Sequence, residues 1–242
     1  MRYKVIVSYF GRNYYGWQKQ PNVPTIQGEI EAALGKLFNT QIVIHGAGRT
    51  DAGVHALRQC FHFDAENKFK PNDLKYRLNK ILGPDIKIIS VRTVDDSFHA
   101  RFNAVSKTYV YKIYLGSKEP FTYYHALIYP KKLNVAKMRS NLQKLVGTHS
   151  FKNFTSKETD EKKFVRNISK ASISVKNNLL QITITGEGFM RGQVRMIVGA
   201  LIALSENQLT EEEFQEYLNS EERKIINYKA SSEGLYLKDV RY

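Results

Sequence analysis

The feature that most constrains the fold is the order of two hydrophobic patterns along the chain. Segments that alternate apolar and polar side chains predict β-strands at 4–10, 41–46, 59–64, 86–94, 107–115, 171–175 and 181–185. Segments with helical periodicity predict helices at 26–38, with Thr25 as the N-cap, and at 72–82, 135–146, 190–204 and 211–218. Because strands outnumber helices and do not alternate with them one to one, we predict an α+β fold with a mixed or antiparallel sheet.

The sequence also predicts two parts of similar content. Each contains strands, a long helix and further strands, and the predicted boundary near residue 105 gives segments 1–105 and 106–242. No linker rich in Pro, Gly or Ser separates them, and no fixed repeat period relates them. The charged run at 156–163 is typical of an exposed loop.

Charge indicates the class of partner. The sequence contains 37 Lys and Arg against 23 Asp and Glu, so its formal net charge is +14. Such an excess favours a polyanion, although a basic protein without that partner is the alternative, since net charge bears on association rather than fold. The 15 Tyr and 13 Phe favour RNA, because bases stack on aromatic rings while cations neutralise phosphates.

Other features of the sequence exclude several classes of protein. Cys60 is the single cysteine, which excludes an internal disulfide and a structural zinc site, and its apolar neighbours predict a small core residue. A secretory signal is missing, and the longest apolar stretch, 196–204, is far shorter than the roughly 18 residues that cross a bilayer. We therefore expect a soluble, cytoplasmic protein with no membrane partner. Signatures for ATP, NAD, zinc or a serine nucleophile are absent as well, so we expect no metal and no cofactor.

A carboxylate remains as the candidate for chemistry. Asp51 lies in the run Gly-Arg-Thr-Asp-Ala-Gly-Val-His, directly after a predicted strand. The glycines indicate a loop whose backbone lies close to a bulky group. A guanidinium such as that of Arg49 would keep the carboxylate ionised, as a nucleophile requires. The alternative is a tight turn in which Asp51 only caps the next segment.

Two further runs combine basic residues with glycines or aromatic residues. Arg191 and Arg195 are four residues apart on a predicted helix and would share one face, for which an ordinary exposed basic face is the alternative. Lys107, Tyr109 and Tyr111 would project from one side of a predicted strand. This stripe is suited to stacking on a base, but half-buried sheet residues would show the same pattern.

Five runs, taken in order, resemble the TruA-type tRNA pseudouridine synthases. They are Gly-Arg-Asn-Tyr-Tyr-Gly-Trp-Gln at 11–18, the run around Asp51 at 46–56, and the runs at 98–111, 188–199 and 233–237. Five ordered runs are far more specific than an isolated Arg-Thr-Asp. The resemblance implies the pseudouridine synthase α+β fold, with a sheet core, flanking helices and two similar halves around an RNA-binding cleft. It also implies a homodimer that binds tRNA.

The resemblance implies roles for individual residues. It makes Asp51 the catalytic nucleophile and Tyr109 the ring that stacks on the target uracil. It makes Arg195 the guanidinium paired with the aspartate, and Arg49 the arginine that moves toward the flipped nucleotide. The lesser contacts that we expect with RNA are Arg12, Arg101, Lys107 and Arg191.

The implied reaction explains the missing cofactor signatures. Pseudouridine formation breaks the bond between ribose C1′ and uracil N1, turns the base and rejoins it through C5, without net redox change. The implied target is uridine in the anticodon stem-loop of tRNA, and this nucleotide must leave its stack at a cost of a few kcal/mol. Whether Asp51 attacks C6 or C1′, or promotes a glycal, is left open.

Two departures from the family pattern bear on the site. Gln193 stands before Val194 and Arg195 where bacterial members usually have Met, and the residues at 190–192 differ from the bulkier ones often found there. Two rival functions are a catalytically silent RNA-binding or RNA-folding module and an RNA pseudouridylase of broader specificity. The joint occurrence of Asp51, Tyr109 and Arg195 argues against the silent module, because a binder would have no physical reason to keep a carboxylate whose desolvation is costly without a task.

Overall fold

The computed structural model describes residues 1–66, 68–155 and 164–242. The charged run at 156–163, predicted as an exposed loop, lies outside the described residues. Contacts within the chain define two compact units, Met1–Val105 with Tyr236–Tyr242, and Ser106–Leu235. The sequence prediction placed all of 106–242 in the second part, whereas the segment Tyr236–Tyr242 packs with the first unit.

Strands and helices follow one another in an irregular order. The strands are β1 (Arg2–Tyr9), β2 (His45–Gly46), β3 (His55–Asp64), β4 (Ile86–Val94), β5 (Ser106–Leu115), β6 (Leu127–Tyr129), β7 (Gly147–Ser150), β8 (Val165–Lys176), β9 (Leu179–Gly186) and β10 (Leu235–Arg241). The helices are α1 (Ile26–Phe38), α2 (Pro71–Ile81), α3 (Val135–Gln143), α4 (Gln193–Ser205) and α5 (Glu211–Asn219). Short 3-10 turns lie at Gly11–Asn13 and Lys152–Phe154. This order confirms the predicted α+β class.

The sheet of the first unit mixes parallel and antiparallel pairs. Its strands follow the order β4-β1-β3-β10, and the short β2 pairs with β3. β1 is antiparallel to both neighbours, whereas β10 is parallel to β3, with Tyr236 opposite His55. Buried and half-buried side chains alternate along β1, as its period-two pattern predicts. The helix α2 packs against β4.

The second unit contains an antiparallel sheet in the order β5-β9-β8-β7. Tyr109 of β5 lies opposite Ile184 of β9, and the short β6 pairs with β5 in parallel. The helix α4 packs against α3 and α5. Most of its 13 residues are buried, because its sequence is apolar around most of its circumference.

Several elements match the sequence prediction, and others differ in extent. β4 and α1 have the predicted bounds, and the Thr25 hydroxyl caps α1 by accepting a hydrogen bond from Gly28 N at 3.2 Å. Cys60 is fully buried, as predicted. Only His45–Gly46 of the predicted strand 41–46 pairs as a strand. No helix among the described residues is long and apolar enough to span a membrane.

Candidate active site

Asp51 lies in the loop between β2 and β3 of the first unit. Arg49 on one side is exposed, Thr50 is 7% exposed, and Asp51 itself is partly exposed. Its main-chain oxygen accepts a hydrogen bond from Val54 N at 3.2 Å, which closes a tight turn after it. The tight turn of the alternative interpretation is therefore present, and it leads into β3 rather than into a helix.

Hydrogen bonds fix this loop before and after Asp51. Trp17 N donates to the main-chain oxygen of Thr50 at 3.1 Å. The Thr50 hydroxyl lies 2.8 Å from the hydroxyl of Tyr9, and both groups are buried. Beyond Asp51, Gly53 N donates to the main-chain oxygen of Tyr14 at 3.3 Å. Because its flanking residues are held on both sides, the position of the Asp51 backbone is well defined.

Glycine permits two close approaches around this loop. A Cβ on Gly16, whose φ is 90°, would lie 2.6 Å from the Thr50 main-chain oxygen and 3.1 Å from the Asp51 carbonyl carbon. A Cβ on Gly46 would lie 2.7 Å from the indole of Trp17, which is 2% exposed. The bulky group that the glycines predict is therefore Trp17, and the runs at 11–18 and 46–56 form one structure.

His55, the last polar residue of the Asp51 run, is part of the support of this structure. It is 1% exposed, and its Nδ1 accepts a hydrogen bond from Gly11 N at 3.0 Å, so that nitrogen is unprotonated. The ring lies 4.5 Å from that of Phe10 and 4.6 Å from that of Tyr236. The sequence signal for His55 was its place in the run, but its structural role was not predicted.

Tyr109 lies in β5 of the second unit and is only 8% exposed. Phe189 packs edge to face against it, with the ring centres 5.2 Å apart. Tyr111 is fully buried, and its hydroxyl donates to the main-chain oxygen of Ser231 at 3.0 Å. Burial raises the pKa of Tyr111, so this hydroxyl stays protonated. The burial of Tyr111 fits the alternative of sheet residues rather than a stacking stripe at that position, whereas Lys107 is partly exposed.

The arginines around α4 do not share a helical face as predicted. The helix begins at Gln193, because Gly192 before it has a left-handed φ of 74°, and Arg191 lies outside the helix. Arg195 is within the first turn, where its Nε donates to the main-chain oxygen of Ala230 at 2.8 Å. Ala230 N in turn donates to the main-chain oxygen of Arg195 at 2.9 Å. This reciprocal pair fixes the direction in which the guanidinium leaves the helix.

Parts of the last three family runs, with Tyr111, Gly199 and Gly234 among them, lie within the second unit. Lys112 N donates to the main-chain oxygen of Gly234 at 2.8 Å, and a Cβ on Gly234 would lie 2.7 Å from the Tyr111 ring. A Cβ on Gly199 of α4 would lie 2.7 Å from the backbone nitrogen of Lys229. The close approaches explain why glycine occupies these two positions.

The predicted site residues thus occur in two groups. The first unit holds Asp51, Arg49, Arg12 and Arg101, and the second holds Tyr109, Lys107, Arg191 and Arg195. Among the parts of the chain that the structure describes, no group of three or more His, Cys, Asp or Glu is placed to hold a metal ion. Sequence reasoning missed Trp17 and Phe189, whose only signal was their presence in the family runs.

Comparison with known proteins identifies the family. A family model described as tRNA pseudouridine synthase matches residues 5–103 and 142–242. The tRNA pseudouridine synthase A of Streptococcus equi is 42% identical over 245 residues, covering 100% of this chain and 98% of the relative. The protein of the same name from Streptococcus mutans is 40% identical over 246 residues, covering 100% and 99%. The tRNA pseudouridine synthase A 2 of Bacillus cereus is 38% identical over 242 residues, covering 99% of each. The chain therefore belongs to the tRNA pseudouridine synthase family.

Proposed function

We propose that this protein isomerises uridine to pseudouridine in the anticodon stem-loop of tRNA, with Asp51 as the catalytic carboxylate and without a cofactor. Family membership supports the reaction and its tRNA substrate. The observation that carries the role of Asp51 is its loop, whose backbone is held on both sides while the residue remains partly exposed. A fixed backbone beneath a short carboxylate provides the preorganisation that covalent catalysis needs.

The reaction requires the target nucleotide to be flipped out of its stack. The C1′–N1 bond breaks, a C1′–C5 bond forms, the proton on C5 is lost and N1 takes up a proton, so atoms and electrons balance within the substrate. Asp51 supplies the carboxylate for attack at C6 or C1′, or for formation of a glycal. All three routes need it ionised.

We assign the supporting roles by the resemblance. Tyr109 stacks on the uracil, Arg195 pairs with the aspartate, and Arg49 moves toward the flipped nucleotide. The hydrogen bond between Arg195 Nε and Ala230 supports this assignment because it restricts the guanidinium to one direction. The side chains that we propose as further tRNA contacts are Arg12, Arg101, Lys107 and Arg191. The proposed assembly is a cytoplasmic homodimer, which sedimentation of the purified protein would test.

The decisive experiment maps pseudouridine in unmodified tRNA transcripts by chemical derivatisation and primer extension. The wild-type protein should modify uridines of the anticodon arm. Asp51→Asn should yield no product while it still binds tRNA. As a matched control, Asp73→Asn removes an exposed carboxylate paired with Arg77 on α2 and should retain full activity, because such pairs contribute little to stability.

Each rival function gives a different result in the same assay. An active Asp51→Asn variant would exclude Asp51 from the mechanism. A wild-type protein that binds tRNA but forms no product would be the silent RNA-binding module. Product formed equally well in unrelated RNA would identify a pseudouridylase of broader specificity.

A further inference from the structure

Phe102 is an exposed aromatic residue that the proposed chemistry does not use. It is 75% exposed, although Phe is a residue type that is most often buried. One side of its ring rests on His99, with ring centres 4.2 Å apart and planes 28° apart. The guanidinium carbon of Arg101, itself exposed, lies 5.7 Å from the centre of the Phe102 ring.

The turn that carries Phe102 is rigidly built. Nδ1 of His99 accepts hydrogen bonds from Arg101 N at 3.1 Å and from Phe102 N at 3.3 Å. The side-chain oxygen of Asn103 accepts from His99 N at 2.5 Å, and Asn103 N donates back to the His99 main-chain oxygen at 3.0 Å. The exposed ring is therefore held in place rather than carried on a loose loop.

The support continues from this turn into the core of the first unit. Ala100, which is fully buried, donates through its N to Nδ1 of His62 at 3.2 Å and accepts from the Tyr242 hydroxyl at 2.7 Å. The rings of His62 and His99 are 4.6 Å apart. Burial, followed by the charges of His45 and neighbouring arginines, lowers the pKa of His99. The ring beneath Phe102 is thus a neutral, fixed imidazole.

A fixed aromatic ring beside an exposed cation matches the chemistry of an unpaired nucleotide. Bases splayed out of single-stranded regions stack on aromatic side chains, and an adjacent guanidinium binds the phosphate. Such stacking does not require a particular base, because every base has a π face. The same surface suits a second copy of the chain poorly. Phe102 and Val105 are the large hydrophobic residues exposed in this turn, whereas a standard interface buries about 800 Å² per partner.

We infer that Phe102 is a stacking platform for an unpaired base of the RNA substrate, with Arg101 binding the adjoining phosphate. This inference rests on the proposed function, since it assigns part of the tRNA contact surface. The base stacked on Phe102 need not be the uridine that reacts. Phe102 therefore contributes to affinity for RNA rather than to the chemical step.

The test compares variants of Phe102 in the full chain for binding to an unmodified tRNA transcript, measured by fluorescence anisotropy at fixed salt. Phe102→Trp keeps a π face and should bind within twofold of the wild type. Phe102→Leu keeps an exposed apolar side chain without a π face and should bind about 10-fold more weakly, as should Phe102→Ala. Val105→Ala removes exposed apolar surface from the same turn and should leave the Kd unchanged. Because these side chains are exposed, thermal melts should be unaffected.

Three results would overturn the inference. The first is a Phe102→Leu variant that binds tRNA as tightly as the wild type. The second is a change from dimer to monomer on sedimentation of Phe102→Leu, which would assign the surface to a second copy. The third is a wild-type protein that does not bind tRNA at all, which would also reject the proposed function.

A parallel assay for pseudouridine separates the two proposals. If the wild type forms pseudouridine but Phe102 variants keep the wild-type Kd, only the stacking inference fails. If the wild type binds tRNA with the expected order of variants but forms no product, the proposed function fails and the stacking surface stands.

Discussion

At the scale of single residues, the position of Asp51 depends on a neighbouring glycine. Gly16 has no Cβ, and this allows its backbone to lie against those of Thr50 and Asp51. The carboxylate of an aspartate is close to its backbone, so a displacement of the loop displaces the carboxylate by a similar distance. Small misplacements of reacting groups have large effects on rate.

Gly16→Ala should therefore reduce both stability and activity. The new Cβ would lie 2.6 Å from the Thr50 main-chain oxygen, at a backbone φ of 90° that favours glycine. We expect a loss of roughly 2 kcal/mol or more in the free energy of unfolding, measured in urea, and a fall in kcat. Gly83→Ala is the control, because a Cβ at Gly83 meets nothing within 4 Å. Equal stability of the two variants would contradict the account.

His62 gives a second prediction at the residue scale. Burial, followed by the charges of His99 and His45, lowers its pKa to about 4, whereas the pKa of an ordinary histidine is about 6.5. As the pH falls between these values, the unfolded chain takes up a proton that the folded protein does not. Protonation thus favours unfolding, and stability contributed by neutral His62 is lost as the pH falls from about 6.5 to about 4.

The measurement is Tm at pH 7.5 and at pH 5. We expect the wild type to lose several degrees, and His62→Asn to lose less, because asparagine does not titrate while its Oδ1, in the place of the imidazole Nδ1, still offers an acceptor to Ala100 N. The pKa of Asp64 is lowered chiefly by its hydrogen bond with Arg2. The stability that this carboxylate contributes is therefore lost only at lower pH, and it is lost in both proteins. Identical pH dependence of Tm in the two proteins would exclude His62 as the cause.

At the scale of elements, helix α4 links Arg195, one of the residues proposed to contact the substrate, to the segment at 228–230. Gly199 permits the helix to pack against the segment at 228–230, and the hydrogen bonds of Arg195 with Ala230 lie on the same side of this contact. A change in the distance between the helix and this segment should therefore move the Arg195 guanidinium.

Gly199→Ala should destabilise the protein even though alanine is the better helix former. Its Cβ would lie 2.7 Å from Lys229 N, and we expect a loss of about 1–3 kcal/mol together with a raised KM. Gly35→Ala in α1 is the matched control, because the nearest atom to its Cβ would be 3.5 Å away. That variant should gain up to about 1 kcal/mol from helix propensity. Urea unfolding of both variants measures the difference, and stabilisation by Gly199→Ala would contradict it.

Local patterns predicted those elements whose boundaries are set locally. β4 and α1 were predicted to the residue, since alternation and the Thr25 cap are encoded within each segment. β6 and β7 were missed, because strands of three and four residues are too short to show a pattern. The start of α4 was placed too early, since the left-handed backbone at Gly192 is not evident from apolar periodicity.

In the candidate site, too, local motifs predicted some features, and contacts between distant residues determined the others. The family runs gave the residues for which we propose roles, because a motif preserves residue types at fixed spacing. They could not predict that Tyr111 is buried against Ser231, or that His55 accepts a hydrogen bond from Gly11 N. Those facts depend on contacts between residues far apart in the chain.

At the scale of the whole molecule, the formal net charge of +14 should favour association with the phosphate backbone of RNA. Binding that neutralises phosphates releases counterions, so affinity should fall steeply with salt. We expect the logarithm of the tRNA binding constant to fall linearly with the logarithm of salt concentration, with a slope of several units, by filter binding from about 50 to 200 mM salt. Arg101→Ala should reduce this slope by about one. A flat response would contradict a role for phosphate contacts.

The strand β10 returns to the first unit after the whole of the second unit has been translated. During synthesis, the contact between His55 and Tyr236, its neighbour in the sheet, can therefore form only after residue 236 has been added. Until Tyr236 has been added, the segment that follows the Asp51 loop lacks one of its packing partners. A nascent protein of this kind should acquire catalytic competence in a single late step, so that shortened chains ending before 236 are inactive although every residue proposed for the chemistry has been made.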